Sequence, residues 1–234
     1  MGNFREHDEL YLNENRKNAP KEYFKFIGNF FENYINSIEN PTILDIGCAT
    51  GDFLYFVHQK FPSAKISGID IRNDLIDKAK SECPFAMIVQ DDIRDMKTLD
   101  KEKFDFVFML GVHSIFDDYK IILDNVIKKV NDGGRAGVFG IFNPEDVDVI
   151  MKVKYSDGEK WQSGWNIFSK KSISNYLKEK GIAHRFIDWR IDIDISKNVS
   201  DPLRSWTFKD ENGRRIIVNG IQLLHTFSLL EITM

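Results

Sequence analysis

Hydrophobic and polar positions along the chain fall into three regimes. The first twenty residues are polar, with an Asn-rich stretch ending at Pro20, and read as a loosely structured arm. Over residues 21–38, Tyr23, Ile27, Phe30, Tyr34 and Ile38 recur at three- and four-residue intervals, with Phe24, Phe31 and Ile35 beside them. That rhythm predicts an amphipathic helix, and Asn40-Pro41 stops it. Short apolar runs then alternate with helical patterns. TILDIG (42–47), KISGID (65–70), FAMIVQDD (85–92), FDFVFML (104–110) and RAGVFGIF (135–142) read as buried strands. Asp52–Lys60, Asn73–Ser81 and Asp117–Val130 read as helices, with Asn73 as an N-cap and a tight turn at 131–134.

The pattern changes after Phe142. Residues 143–168 have no clean period, Ser169–Glu179 reads as a helix ending at Gly181, and 184–195 alternates like one long strand. Trp206–Phe208 is expected to pair with Arg214–Val218, and His225–Ile232 is the last strand. Continuous apolar strands between amphipathic helices predict an α/β fold: a doubly wound, mostly parallel seven-stranded sheet with an antiparallel C-terminal strand.

Composition narrows the function. The chain has 234 residues, of which 42% are hydrophobic and 29% charged, as in an ordinary globular protein. A net charge of −4 with no basic stripe argues against a nucleic-acid partner. No apolar run approaches the ~18 residues that would span a bilayer. MGNFREHDEL lacks an apolar signal core, and Glu6 stands where a myristoylation signal after Gly2 wants Ser or Thr. A cytoplasmic location is the expectation. Cys48 and Cys83 have no CxxC partner and are expected to be reduced.

The sharpest motif is ILDIGCATGDFL (43–54), in which a buried strand runs into Asp-x-Gly-x-x-x-Gly and then a helix. Gly47 permits a sharp turn, and Gly51 is expected to let backbone approach a ligand where helix N–H groups are unpaired. Asp45 can accept from a ligand ammonium. Asp70 ends the second strand 19 residues after Gly51, where an acid can take both hydroxyls of a ribose. Gln90-Asp91-Asp92-Ile93 ends the third strand beside the same crevice, with an acid for an exocyclic amine and Ile93 to cover a ring. The G-x-G-x-x-G fingerprint of nicotinamide enzymes is absent, because Cys48-Ala49-Thr50 follow Gly47.

In combination these residues resemble the class I S-adenosylmethionine-dependent methyltransferases. ILDIGCATGDFL is similar to their first motif, GIDI (68–71) to the second and VQDDIRDM (89–96) to the third; FDFVFMLGVH (104–113) and Gly133-Gly134 correspond to the fourth and fifth. The resemblance covers roughly residues 40–142. It implies an S-adenosyl-L-methionine cofactor held by Asp45, Gly47, Gly51, Asp70, Ile71, Asp92, Ile93 and the Leu110 backbone. It also implies one methyltransferase domain over 1–234: an arm and helix (1–40), a cofactor-binding core (41–142), and substrate-side insertions at 143–168 and 196–224.

The remaining chemistry falls to the acceptor side. His113, three residues past the fourth strand, is the candidate general base; His7, His58, His184 and His225 have weaker claims. Asp117 is expected to cap a helix rather than bind a metal, and no metal is assigned. All four Trp lie after residue 160. Trp161 and Trp165 are assigned to an aromatic acceptor wall, with Tyr11 beside them and Arg204 for an acidic group, while Tyr11 and Arg16 of the N-terminal arm are expected to close over the cofactor. The expected partner is a small-molecule or carbohydrate acceptor, such as a sugar hydroxyl or amine in surface polysaccharide; the oligomeric state stays open. The alternative is a non-catalytic S-adenosylmethionine-binding scaffold or regulator.

Overall fold

The computed structural model describes residues 6–14 and 16–234, with the side chains of residues 6 and 7 left out. Gly2 and the His7 imidazole therefore lie outside the described residues. A 3-10 segment, Glu6–Asn13, precedes helix α1 (Glu22–Asn36). Strands and helices then alternate: β1 (Thr42–Ile46), α2 (Asp52–Lys60), β2 (Lys65–Asp70), α3 (Asn73–Glu82), β3 (Met87–Gln90), β4 (Phe104–Leu110), α4 (Tyr119–Lys128) and β5 (Val130–Asn143). A small hairpin, β6 (Lys152–Val153) with β7 (Gln162–Ser163), follows, then β8 (Phe168–Ser169) and α5 (Lys170–Glu179). The chain closes with β9 (Ala183–Asp188), the hairpin β10 (Trp206–Lys209) and β11 (Arg215–Val218), and β12 (Phe227–Thr233).

The main sheet runs β3-β2-β1-β4-β5-β12-β9, with β8 added beside β5. β1 to β5 are mutually parallel, while β12 is antiparallel to both β5 and β9. This is the mostly parallel sheet with an antiparallel C-terminal strand that the patterning predicts. Its central strands are largely apolar because both faces are covered. Phe24, Ile27 and Phe31 of α1 pack with α2 and α3 on one face; Ile122, Leu123 and Val126 of α4 pack with Ile173 and Leu177 of α5 on the other. The Phe31 ring, fully buried, meets Phe106 and Phe108 edge-on. Burying such a ring stabilises the fold by about 1.5–3 kcal/mol.

Several local expectations are corrected. The tight turn at 131–134 is instead the first part of β5: Phe104 pairs with Val130, the register then shifts, and Phe106 pairs with Arg135. Gly134 fits there because a Cβ would stand 2.7 Å from the Asp105 carbonyl oxygen. The long strand over 184–195 ends at Asp188, where its pairing with Ser228 of β12 ends. Asn73 does not cap α3, whose N-cap position is held by Arg72. Asp118, not Asp117, caps α4, accepting from the Lys120 N–H.

Candidate active site

The carboxyl ends of the parallel strands share one edge, and the chain leaving β1 shapes the site there. The Gly47 and Cys48 N–H groups both donate to the Ile69 carbonyl, at 2.8 and 2.9 Å. This curls the chain back at once, with φ of 78° at Gly47, 46° at Ala49 and 86° at Gly51. A Cβ at Gly47 would also stand 2.4 Å from Val112 Cγ2, so glycine is required twice over. Gly51 plays a different part from the one expected. It occupies the N-cap of α2 and packs on α3, where a Cβ would meet Cys83 Sγ at 2.9 Å; it lines no chamber.

Two adjoining chambers open at this edge. The first, about 370 Å³, is bounded by Asp45, Gly47, Asp70, Ile71, Asp92, Ile93 and the Leu110 segment. The second, about 480 Å³, lies beneath the N-terminal segment and the 189–205 loop. Tyr11, Lys21, Tyr23 and Gly111 border both.

The acids of the first chamber have distinct environments. Asp45 is 3% exposed, and its Oδ1 has no hydrogen-bond partner. Burial, and then the nearby Asp70, push its carboxyl up to about 8. Each Asp70 oxygen accepts one backbone N–H, from Ala49 and from Arg72, both at 3.0 Å. Those bonds fix the carboxylate and leave further lone pairs toward the chamber. Burial raises this carboxyl too, against the lowering effect of the two N–H donors. Asp91 and Asp92 divide their labour. Asp91 is buried and accepts the N–H groups of Asp92, Lys97 and Thr98, which closes the 91–98 turn. Asp92 is the more open of the two and pairs with the Arg94 side chain.

These residues fit S-adenosylmethionine. The orphaned Asp45 oxygen suits an ammonium, the braced Asp70 suits a pair of hydroxyls, and Ile71 and Ile93 offer apolar cover. The volume is that of an ordinary ligand pocket.

The acceptor-side expectations divide. Tyr11, Trp165 and Arg204 border the second chamber, joined by Trp189, Phe227 and Ile191. Trp161 lines neither chamber and is 69% exposed. His113 lines neither as well. Its imidazole is buried, stacks on Phe142 at 4.5 Å and faces the Ile141 carbonyl through Nε2 at 3.2 Å. Burial pulls it down to about 4, and the ring fills the space a side chain at Gly140 would need. The imidazole is a core group, not a base at the chamber. Asp117 borders the first chamber and is held by Lys152 at 2.6 Å and Asn166 at 3.0 Å. Among the described residues, no group of three or more His, Cys, Asp or Glu is arranged to hold a metal ion.

Two buried polar positions beside the chambers escape the sequence reading. Asn166 is fully buried and ties the 143–168 insertion to the rim: its Oδ1 accepts from Met151, and its Nδ2 donates to the Phe116 carbonyl and to Asp117. Glu14 is buried in a stretch that looks merely polar, and cations from distant segments meet on it.

The fold, the Asp-x-Gly turn and the acid at the end of β2 form an α/β core that resembles the class I S-adenosylmethionine-dependent methyltransferases. The comparisons agree: residues 43–134 match the family model described as a methyltransferase domain. The trans-aconitate 2-methyltransferase of Escherichia coli O1:K1 is 37% identical over 73 residues, 31% of this chain and 28% of that one. The O7:K1 enzyme of the same name is 27% identical over 96 residues, 41% and 37% of the two chains. The match thus spans well under two thirds of these relatives. Among solved structures, an S-adenosylmethionine-dependent methyltransferase from Clostridium acetobutylicum superposes with a TM-score of 0.61 at 12% identity, covering 97% of this chain and 98% of that one. YcgJ from Bacillus subtilis gives 0.58 at 13% identity, covering 88% and 97%. At such identity these two report the fold.

Proposed function

We propose that this protein transfers a methyl group from S-adenosylmethionine to a small-molecule acceptor seated in the second chamber. The observation that carries this reading is the junction. A chamber with an unpartnered buried acid opens onto a second, aromatic-walled chamber across Tyr11, Tyr23 and Gly111. S-adenosylmethionine, held by Asp45 and Asp70, would supply an electrophilic methyl group on a sulfonium to the acceptor's nucleophile.

The protein's contribution is positioning. Asp45 accepts an ammonium, Asp70 orients hydroxyls, and the walls of the two chambers set the line of approach. Among the described residues no histidine borders either chamber, and burial raises the Tyr23 phenol, which opposes its use as a phenolate base. This favours an acceptor whose nucleophile is a neutral amine or is already ionised. The sugar reading rested on paired tryptophans. Trp165 with Trp189 and Phe227 supports an acceptor with a flat or apolar body, while Trp161 adds nothing to it.

Calorimetry with S-adenosylhomocysteine tests the first step. Wild type should bind, and Asp70→Ala should bind at least tenfold more weakly, since a hydrogen bond to a charged group contributes about 1.5–3 kcal/mol. Absence of wild-type binding overturns the proposal.

A further inference from the structure

We propose that the second chamber contains an anion seat for the carboxylate of the acceptor, built by Arg204, Arg16 and Lys21 and shared with Glu14. The inference rests on the methyltransferase reading for the word acceptor, though not for the seat itself. The Glu14 side chain is 7% exposed, yet three cations from separate places in the chain converge on it. Arg204, from the loop between β9 and β10, pairs with Oε1. Arg16 reaches the same oxygen through Nη2 at 3.4 Å, and Lys21, ahead of α1, stands 3.3 Å from Oε2. Burying one carboxylate among cations is ordinary; gathering three on a chamber wall leaves positive charge in excess. The one other acid on that wall, Glu22, is already paired with Lys25 at 2.6 Å. Asp52 meets Arg16 only at its backbone N–H, and Asp201 accepts the backbone N–H groups of Leu203 and Arg204.

Hydrogen bonding within this cluster is also incomplete, on the donor and the acceptor side. The Arg16 Nε is buried with no hydrogen-bond partner, and Oε2 of Glu14 has none with good geometry despite its nearness to Lys21. A guanidinium binds a carboxylate best through two parallel N–H groups. Arg16 and Arg204 here share one oxygen. The same chamber is also lined by the apolar side chains of Trp189, Ile191 and Phe227. An ionised head against Arg204 and an apolar body against those rings is the chemistry of a carboxylic acid with a hydrocarbon chain or ring. Glu14, already on the same donors, then competes with that head rather than assisting it.

The test is direct titration of 3-phenylpropanoate, hexanoate and adipate, each against its primary amide, by calorimetry without cofactor. Wild type should bind at least one carboxylate tenfold or more tightly than its amide. Arg204→Gln should weaken that binding at least tenfold. Glu14→Gln, which removes the competing carboxylate, should strengthen it severalfold. S-adenosylhomocysteine affinity, within twofold of wild type in both variants, certifies folding. Equal binding of acids and amides, no binding of any of the three acids, or an unchanged or weakened Glu14→Gln variant overturns the seat. Failure of wild type to bind S-adenosylhomocysteine overturns the methyltransferase reading instead, and the carboxylate titration still decides the seat.

Discussion

Burial and the neighbouring Asp70 keep the Asp45 carboxyl protonated at neutral pH, and that has two measurable consequences. Its folded-state value, about 8, lies above the ordinary 3.8, so between these limits the folded state holds the extra proton. Stability from this group is therefore lost as pH rises from about 4 to about 8. A bound ammonium reverses the preference, so cofactor binding should release a proton below pH 8. Affinity for S-adenosylhomocysteine should then rise with pH, by up to about tenfold per unit, and level off above 8. Asp45→Asn should bind weakly at every pH, with that slope abolished and the alkaline loss of melting temperature relieved. A wild-type affinity independent of pH would contradict the assignment. His113 behaves oppositely. Its folded value, about 4, lies below the ordinary 6.5, so stability falls as pH drops from about 6.5 toward 4. His113→Ala removes a packed ring and should cost on the order of 2–5 kcal/mol of stability. Turnover of the folded fraction should stay within severalfold of wild type, whereas loss of a general base would lower it by about 10²–10⁴.

At the level of elements, the parallel strands were the most readable part because each carries a short apolar run bounded by polar residues or Gly. What sequence patterning misplaced depended on partners. Asn131-Asp132-Gly133-Gly134 has the composition of a turn, yet β4 draws it into a ladder through a register shift. The alternation over 184–195 continues past Asp188, but the strand stops where its β12 partner runs out. The first chamber was legible for a related reason: its acids sit at strand ends, at spacings set by the β-loop-α unit. The second was not. Its wall joins residues 10–23, 189–195 and 203–205, which no local pattern connects. Asn166 is the clearest case, a lone amide in an aperiodic stretch that anchors the β6–β7 insertion beside the rim. Asn166→Ala leaves the Met151 N–H and the Phe116 carbonyl without their side-chain partner, and should cost about 1–3 kcal/mol. Hydrogen exchange should accelerate over 148–169 and remain unchanged in β1 to β4; uniform acceleration would show that the residue stabilises the whole sheet.

Across the whole molecule, the two chambers differ in character. The first gathers seven aspartates on its wall; the second combines basic side chains with aromatic ones. The tryptophans divide accordingly. Trp165 sits at the second chamber in a left-handed backbone conformation with φ of 57°, while Trp161 projects to solvent. Trp165→Ala should raise the acceptor KM and leave S-adenosylhomocysteine affinity unchanged. Trp161→Ala should change neither, and its effect on melting temperature should be slight. Equal effects of the two substitutions on KM would show that the insertion acts as a unit.

Residues 8–14 and 16–21 contribute wall to both chambers at once: Asp8 on the first, Glu14 and Arg16 on the second, Tyr11 and Lys21 on each. The two ligands would share a wall. A displacement of this stretch would disturb both chambers, which would link the lifetimes of the two compounds on the protein. A tightly held acceptor would slow the exit of the spent cofactor, and the slowest event in a catalytic cycle would then be a departure rather than a bond exchange.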